Sequence, residues 1–126
     1  MRKKGWVLIP ICVAVLFIII FKTVFLIGYV PSASMEPTLK KGSIILGVRC
    51  YQELGIDDII IFRHNGQLNV KRIAAIEGES VAVDGKILLV PEDCYYVLGD
   101  NMENSYDSRF WEEPFVKRDD IIAKII

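Results

Sequence analysis

Two serines, Ser32 and Ser34, stand between Pro31 and Pro37 in the stretch Val30 to Leu39, directly after a long apolar run. A serine hydroxyl becomes a nucleophile when a neighbouring group takes its proton. Histidine is the usual acceptor, but the single one, His64, adjoins an Asn65-Gly66 turn and reads as an exposed loop residue. A lysine that has lost its charge is the alternative. Lys71 lies in Asn69-Val70-Lys71-Arg72-Ile73, inside an apolar strand-like segment, where burial depresses an amine's pKa. Bringing it down by about two units from ~10.4 costs about 3 kcal/mol. A third polar stretch, Gly99 to Arg109, carries Asp100, Ser105, Asp107 and Arg109 and can orient a buried group. It does not read as a calcium loop, because Met102 takes a ligand position and the turn glycine is missing. Each piece alone also has a plain reading: a linker, a strand-edge charge and a surface turn.

The elements that must position these groups are mostly strands. Pro31 and Pro37 predict a stiff, extended segment around the serines. Beyond it come short Val- and Ile-rich runs at Ser43 to Val48, Ile59 to Arg63, Leu68 to Ile76, Glu79 to Val83, Lys86 to Val90, Cys94 to Leu98 and Ile121 to Ile126. Turn signals at Lys40-Lys41-Gly42, Asp57-Asp58, Asn65-Gly66 and Asp84-Gly85 punctuate them, so an all-β sandwich or barrel-like domain is expected.

Ahead of the strands, Trp6 to Phe21 gives sixteen uncharged residues interrupted only by Pro10. Such a helix spans about 24 Å, and about 33 Å if continued through Ile27, enough to cross a bilayer. A cleaved secretory signal competes with this reading, since Ser32-Ala33-Ser34 resembles a cleavage site, but its apolar region is usually shorter. A retained anchor over residues 1–28 and a β-rich domain over residues 29–126 are therefore expected. Arg2, Lys3 and Lys4 precede the span while Gly28 to Leu39 holds no base and one acid, Glu36. That asymmetry puts the N-terminus in the cytoplasm and the domain outside the cell membrane.

Composition agrees with a single domain plus an anchor: 126 residues, 52% hydrophobic, with mean hydropathy +0.37. Residues 28–126 hold 11 of the 15 basic groups against all 16 acidic ones, which argues against nucleic-acid binding. Cys12 falls in the apolar run, and Cys50 and Cys94 could pair outside the cytoplasm, though sequence cannot bring them within bridging range. No metal site is expected, because there is no CxxC and His64 has no partner at ligand spacing.

Taken together, the basic N-terminus and span, Pro31-Ser32-Ala33-Ser34-Met35-Glu36-Pro37-Thr38-Leu39, Val70-Lys71-Arg72, and Gly99-Asp100-Asn101 followed by Asn104-Ser105 and Asp107-Ser108-Arg109 closely resemble the bacterial type I signal peptidases. The resemblance implies a membrane-anchored serine endopeptidase with Ser34 as nucleophile and Lys71 as general base, needing no cofactor. It implies an oxyanion site from the Ser34 backbone N–H and the Ser32 hydroxyl, with Ser105 orienting the lysine. Asp107 with Arg109, and Asp100 with Arg72, would be supporting ion pairs. The substrates it implies are exported preproteins with small residues one and three positions before the cut, added as a strand with Val30, Met35 and Val70 lining shallow pockets. The lysine rather than a histidine at position 71 separates the chain from the endoplasmic-reticulum type, and its short ectodomain looks like the compact Gram-positive form. Met102, where the family usually has arginine, and Glu77-Gly78-Glu79, in place of Pro-Gly-Asp, depart from the pattern. A relative specialised for one precursor, such as a pilin or peptide, and a catalytically silent membrane-anchored binding domain are the alternative functions. A self-cleaving repressor-type peptidase would lack the anchor.

Overall fold

In a computed structural model, residues 4–126 are described; Arg2 and Lys3 of the basic tip lie outside the described residues. Helix α1 covers Lys4–Val24 and runs through Pro10 without ending. Its 21 residues make a rod about 32 Å long, and none of them is buried against the domain. This helix is long and apolar enough to cross a membrane. It stops three residues short of the span expected through Ile27. Phe25–Tyr29 instead forms strand β1, because its backbone finds a partner in β2, Ile44–Val48, with Phe25 opposite Val48 and Tyr29 opposite Ile44. As the edge strand, β1 pairs one row of its backbone groups with β2, and Phe25 still packs on Phe21 across the junction, with ring centroids 4.9 Å apart.

The remaining strands are β3 (Ile59–His64), β4 (Gln67–Ile76), β5 (Ser80–Val83), β6 (Lys86–Leu89), β7 (Cys94–Leu98), β8 (Val116–Lys117) and β9 (Ile121–Ile125). The expected mainly β fold is what forms, with every pairing antiparallel: a seven-stranded sheet in the order β1-β2-β9-β3-β4-β7-β8 and a separate β5-β6 hairpin. Like β1, the two-residue strand β8 was not announced by the sequence pattern, being too short to show alternation.

Both tight hairpins owe their hand to residues that tolerate positive φ. Asn65 and Gly66 stand at φ 50° and 77°, and Asp84 and Gly85 at 51° and 77°. An alanine at Gly85 must adopt a conformation that its Cβ disfavours. Gly85→Ala is expected to cost about 1 kcal/mol, read as a lower denaturation midpoint; an unchanged midpoint would mean that this turn does not constrain the hairpin.

Alternation along β3 divides the core. Ile60 and Phe62 pack with Ile73, Tyr95, Val97, Trp111, Val116 and Ile121, while Ile61 packs with Val30, Ile45 and Ala123. The second cluster draws the chain after β1 onto the sheet and so carries the serine segment with it. A third cluster of Ala75, Val90 and Tyr96 attaches the β5-β6 hairpin through Val81 and Val83. In the Glu77-Gly78-Glu79 turn the acids act locally: Glu79 accepts from the Ile76 N–H at 2.8 Å and Glu77 from the Asp93 N–H at 2.7 Å. Cys12, Cys50 and Cys94 are all free.

Candidate active site

The serine segment is wound rather than extended, contrary to the expectation from its two prolines. The Glu36 N–H donates to the Ala33 carbonyl at 3.1 Å and the Leu39 N–H to Met35 at 2.9 Å. Proline restricts its own φ and its predecessor, but it does not prevent the intervening residues from closing turns. Val30 and Met35, 2% and 1% exposed, anchor the coil on either side of Ser34. The loop after β7 holds it from behind. Asn101 donates from its backbone to the Ser34 carbonyl at 2.8 Å and from its amide to the Ala33 carbonyl at 3.0 Å.

Strand β4 brings Lys71 opposite Ile60 of β3, and its amine reaches Ser34: Nζ lies 2.7 Å from Oγ. The two side chains are buried together, with Lys71 4% and Ser34 6% exposed. Burial pushes the Lys71 amine below the 10.5 usual for lysine, against an opposing pull from the Asp107 carboxylate. In its neutral form, an amine at hydrogen-bond distance from a hydroxyl can accept that hydroxyl's proton. Ser32 Oγ lies 3.2 Å from Ser34 Oγ, so a second hydroxyl faces the same point.

The supporting polar groups come from the loop joining β7 to β8. Asp100 takes two parallel bonds from Arg72, Nε to Oδ1 and Nη2 to Oδ2, both 2.8 Å; this bidentate contact holds Asp100 below the usual carboxylate range. Asp107 is fully buried. Burial alone would raise its pKa, but hydrogen bonds from Arg109, the Gly99 N–H and Ser105 hold it below the usual range. The Ser105 hydroxyl donates to Asp107 Oδ2 at 2.8 Å, where the resemblance implied a bond to Lys71. Its one proton goes to the buried carboxylate, so toward any other group its oxygen is an acceptor. Met102 is 46% exposed, and its carbonyl accepts from Arg109 Nη2 at 2.9 Å.

His64 plays no part here: it ends β3, stacked 3.8 Å from the Trp111 ring. Three contributors escaped sequence reasoning. Asn101, Gly99 and buried Ser108, which accepts from the Val97 N–H at 3.0 Å, stood within the quoted motifs but were given no role of their own. A cavity of about 190 Å³ opens in front of Ser34 and Lys71, bounded by β1 with Val30 and Met35 on one side and by Leu68, Asn69 and Val70 of β4 on the other.

The model of the signal peptidase family, peptidase S26, matches residues 3–90 and 85–126. The chain belongs to this family. Among its relatives, signal peptidase I of Leptolyngbya laminosa is 31% identical over 78% of this chain and 65% of its own length. Probable signal peptidase I-2 of Synechocystis is 33% identical over 76% of this chain and 59% of its own. The chain thus spans somewhat less than two thirds of these relatives. Another relative is the inactive signal peptidase IA of Staphylococcus aureus, 25% identical over 99% of this chain and 91% of that protein. Membership therefore narrows the chemistry to signal peptidases without deciding whether a given member cuts.

Proposed function

We propose that this chain is a single-pass membrane serine endopeptidase that removes signal peptides from exported preproteins, with Ser34 as nucleophile and Lys71 as general base. The observation that carries the reading is the buried 2.7 Å contact between Lys71 Nζ and Ser34 Oγ. A catalytically silent module has no need of an amine buried against a hydroxyl, at the energetic cost such burial entails.

In this mechanism Ser34 Oγ attacks the scissile carbonyl as its proton passes to Lys71. The resulting oxyanion is met by the Ser34 backbone N–H and the Ser32 hydroxyl. Collapse breaks the C–N bond, and Lys71 returns the proton to the leaving amine. Water then repeats the sequence on the acyl-enzyme, with Lys71 again as base, and frees Ser34. Ser105, Asp107, Arg109, Asp100 and Arg72 hold the frame.

The substrate lies extended between the Val30 side of the cavity and Asn69 to Lys71, pairing as an added strand, with small side chains facing Val30, Met35 and Val70. Residues 1–28 serve as the anchor and residues 29–126 as the peptidase unit on the extracytoplasmic side, with β1 joining the two. Because β1 follows α1 without a linker, the catalytic groups are tethered near the membrane surface, where a signal helix would emerge, raising effective concentration.

The test is a preprotein with alanine one and three positions before the cut, compared with versions carrying a bulky residue at either position. Cleavage of the first, with about 100-fold or greater loss for the others, is the expected result. Equal cleavage of all three would remove the pocket assignment. The inactive relative favours a second reading, a silent binding module; under it, wild type and Ser34→Ala would bind preprotein alike and cut none.

A further inference from the structure

Gly28 is the one member of β1 without a side chain, and it stands in the wall of the cavity before Ser34 and Lys71. Alternation along the strand puts it on the same face as Leu26 and Val30, which pack with Ile45 and Ile61, while Ile27 and Tyr29 lie exposed on the other face. A glycine inside a strand weakens it, and it marks a bulge, a bend or the close approach of another chain.

The first two uses do not apply. The pairing of β1 with β2 runs without a register shift from Phe25 opposite Val48 to Tyr29 opposite Ile44, and Gly28 is not among the glycines at positive φ. Nor does packing of the sheet demand it, as it does at Gly47, where a Cβ would meet the Ala123 Cβ at 3.0 Å and Ile61 Cδ1 at 3.4 Å. A Cβ on Gly28 would meet only the Ile45 side chain within 4 Å, Cγ1 at 3.3 Å and Cδ1 at 3.5 Å. Room for a bound chain is the use that remains.

The place of Gly28 says which part of that chain it receives. Met35 adjoins Ser34, so the residue just before the cut sits there. Successive side chains of an extended peptide alternate, and the next one on the same side lies about 7 Å further on, toward β1. The walls it meets, Leu26, Ile45, Ile61 and Val70, are aliphatic. The cavity measures about 190 Å³, whereas an apolar cavity of about 150 Å³ accepts a benzene ring, so two alanine methyls leave this one part empty.

Resting on the Ser34 and Lys71 reading, we propose that Gly28 is a specificity residue: the side chain it lacks deepens the subsite for the residue three positions before the cut, so that preproteins with leucine there are substrates. Leucine stands in size between the alanine and the bulky residues of the comparison above, and burying its extra methylenes against aliphatic walls is favourable. Side chains added at position 28 fill the same space from the enzyme's side.

Two preproteins that differ only in alanine or leucine three positions before the cut, given to the full chain in detergent micelles, report the ratio of their kcat/KM values. Wild type is expected to cut the leucine form within about threefold of the alanine form, Gly28→Ala to lower that ratio about fivefold, and Gly28→Val about 30-fold. The ratio is read on molecules that cut, so loss of folded protein cancels. Gly55→Ala, whose Cβ meets nothing within 4 Å, should keep the wild-type ratio. A wild type that rejects leucine about 30-fold or more overturns the proposal, as does one ratio shared by wild type and Gly28→Val. Should Gly28→Val not fold, Gly28→Ala decides. In parallel, fluorescent signal peptides with alanine or leucine at that position are bound to Ser34→Ala with and without Gly28→Val, which should raise the Kd of the leucine peptide about tenfold relative to the alanine peptide. A wild type that cuts neither preprotein ends the peptidase reading, and the Kd ratio then decides the role of Gly28 by itself.

Discussion

Lys71→Met is expected to lower kcat/KM for preprotein cleavage by about four orders of magnitude while leaving the folded protein at least as stable at neutral pH. The methionine keeps the packing of an apolar stem and removes the group that takes the Ser34 proton. Few substitutions at a buried polar site should spare stability, so the pairing is diagnostic. Its sign comes from linkage. Burial lowers the Lys71 pKa in the folded state below the 10.5 usual for lysine. Between the lowered value and 10.5, the unfolded chain binds a proton that the native chain does not, so this group's contribution to stability rises with pH. At neutral pH its burial is a cost that methionine abolishes, set against the loss of one hydrogen bond to Ser34, about 1 kcal/mol. Melting curves should therefore show any advantage of Lys71→Met shrinking as pH climbs toward the usual lysine value. Activity within tenfold of wild type would exclude Lys71 as the base.

Gly99→Ala is expected to cost about 1–3 kcal/mol in stability and about 100-fold in activity on molecules that remain folded. An added Cβ would stand 2.6 Å from the Ser34 carbonyl oxygen and 2.5 Å from the Ser105 Cβ, and closer still to the Ser105 hydroxyl. Neither the carbonyl nor the Cβ is the free end of a flexible chain that could swing aside. Relief has to come from moving the Ser34 segment or the Ser105 turn, and either displacement separates the hydroxyl from the amine. Gly55→Ala is the control, since a Cβ there meets nothing within 4 Å. Denaturation together with kinetics on the folded fraction separates the two effects. A Gly99→Ala protein with wild-type turnover would show that the loop does not fix Ser34.

Where the sequence was legible, local chemistry agreed with tertiary structure. Asn65-Gly66 and Asp84-Gly85 demanded their hairpins whatever surrounded them, because both residues of each turn take positive φ. The antiparallel character of the domain followed from those turns and from the short Val- and Ile-rich runs between them. The end of α1 was not legible, because Phe25 to Ile27 suits a helix in lipid as well as a strand. The choice was made by Leu46 and Val48, some twenty residues away. The winding of Pro31 to Leu39 was hidden for a related reason: it depends on turn closure and on Val30 and Met35 finding the core, not on the prolines.

The site divides in the same way. Ser34 and Lys71 stood out as an ordered pair of motifs, yet their contact depends on β4 pairing with β3 and on the Asn101 loop gripping the serine segment. The Ser105 hydroxyl was assigned to the lysine by resemblance and is found on Asp107. Which group receives a serine's one proton is fixed by what the fold buries beside it, and burial is a property of the fold.

The most direct measurement is the pH dependence of kcat/KM for wild-type cleavage of an alanine-site preprotein, with Ser34→Ala as the blank. The account requires an ascending limb centred below the ordinary lysine value of 10.5 and no cleavage above background in the blank. A rate still climbing past that value, or a blank that cuts as well as wild type, would contradict it.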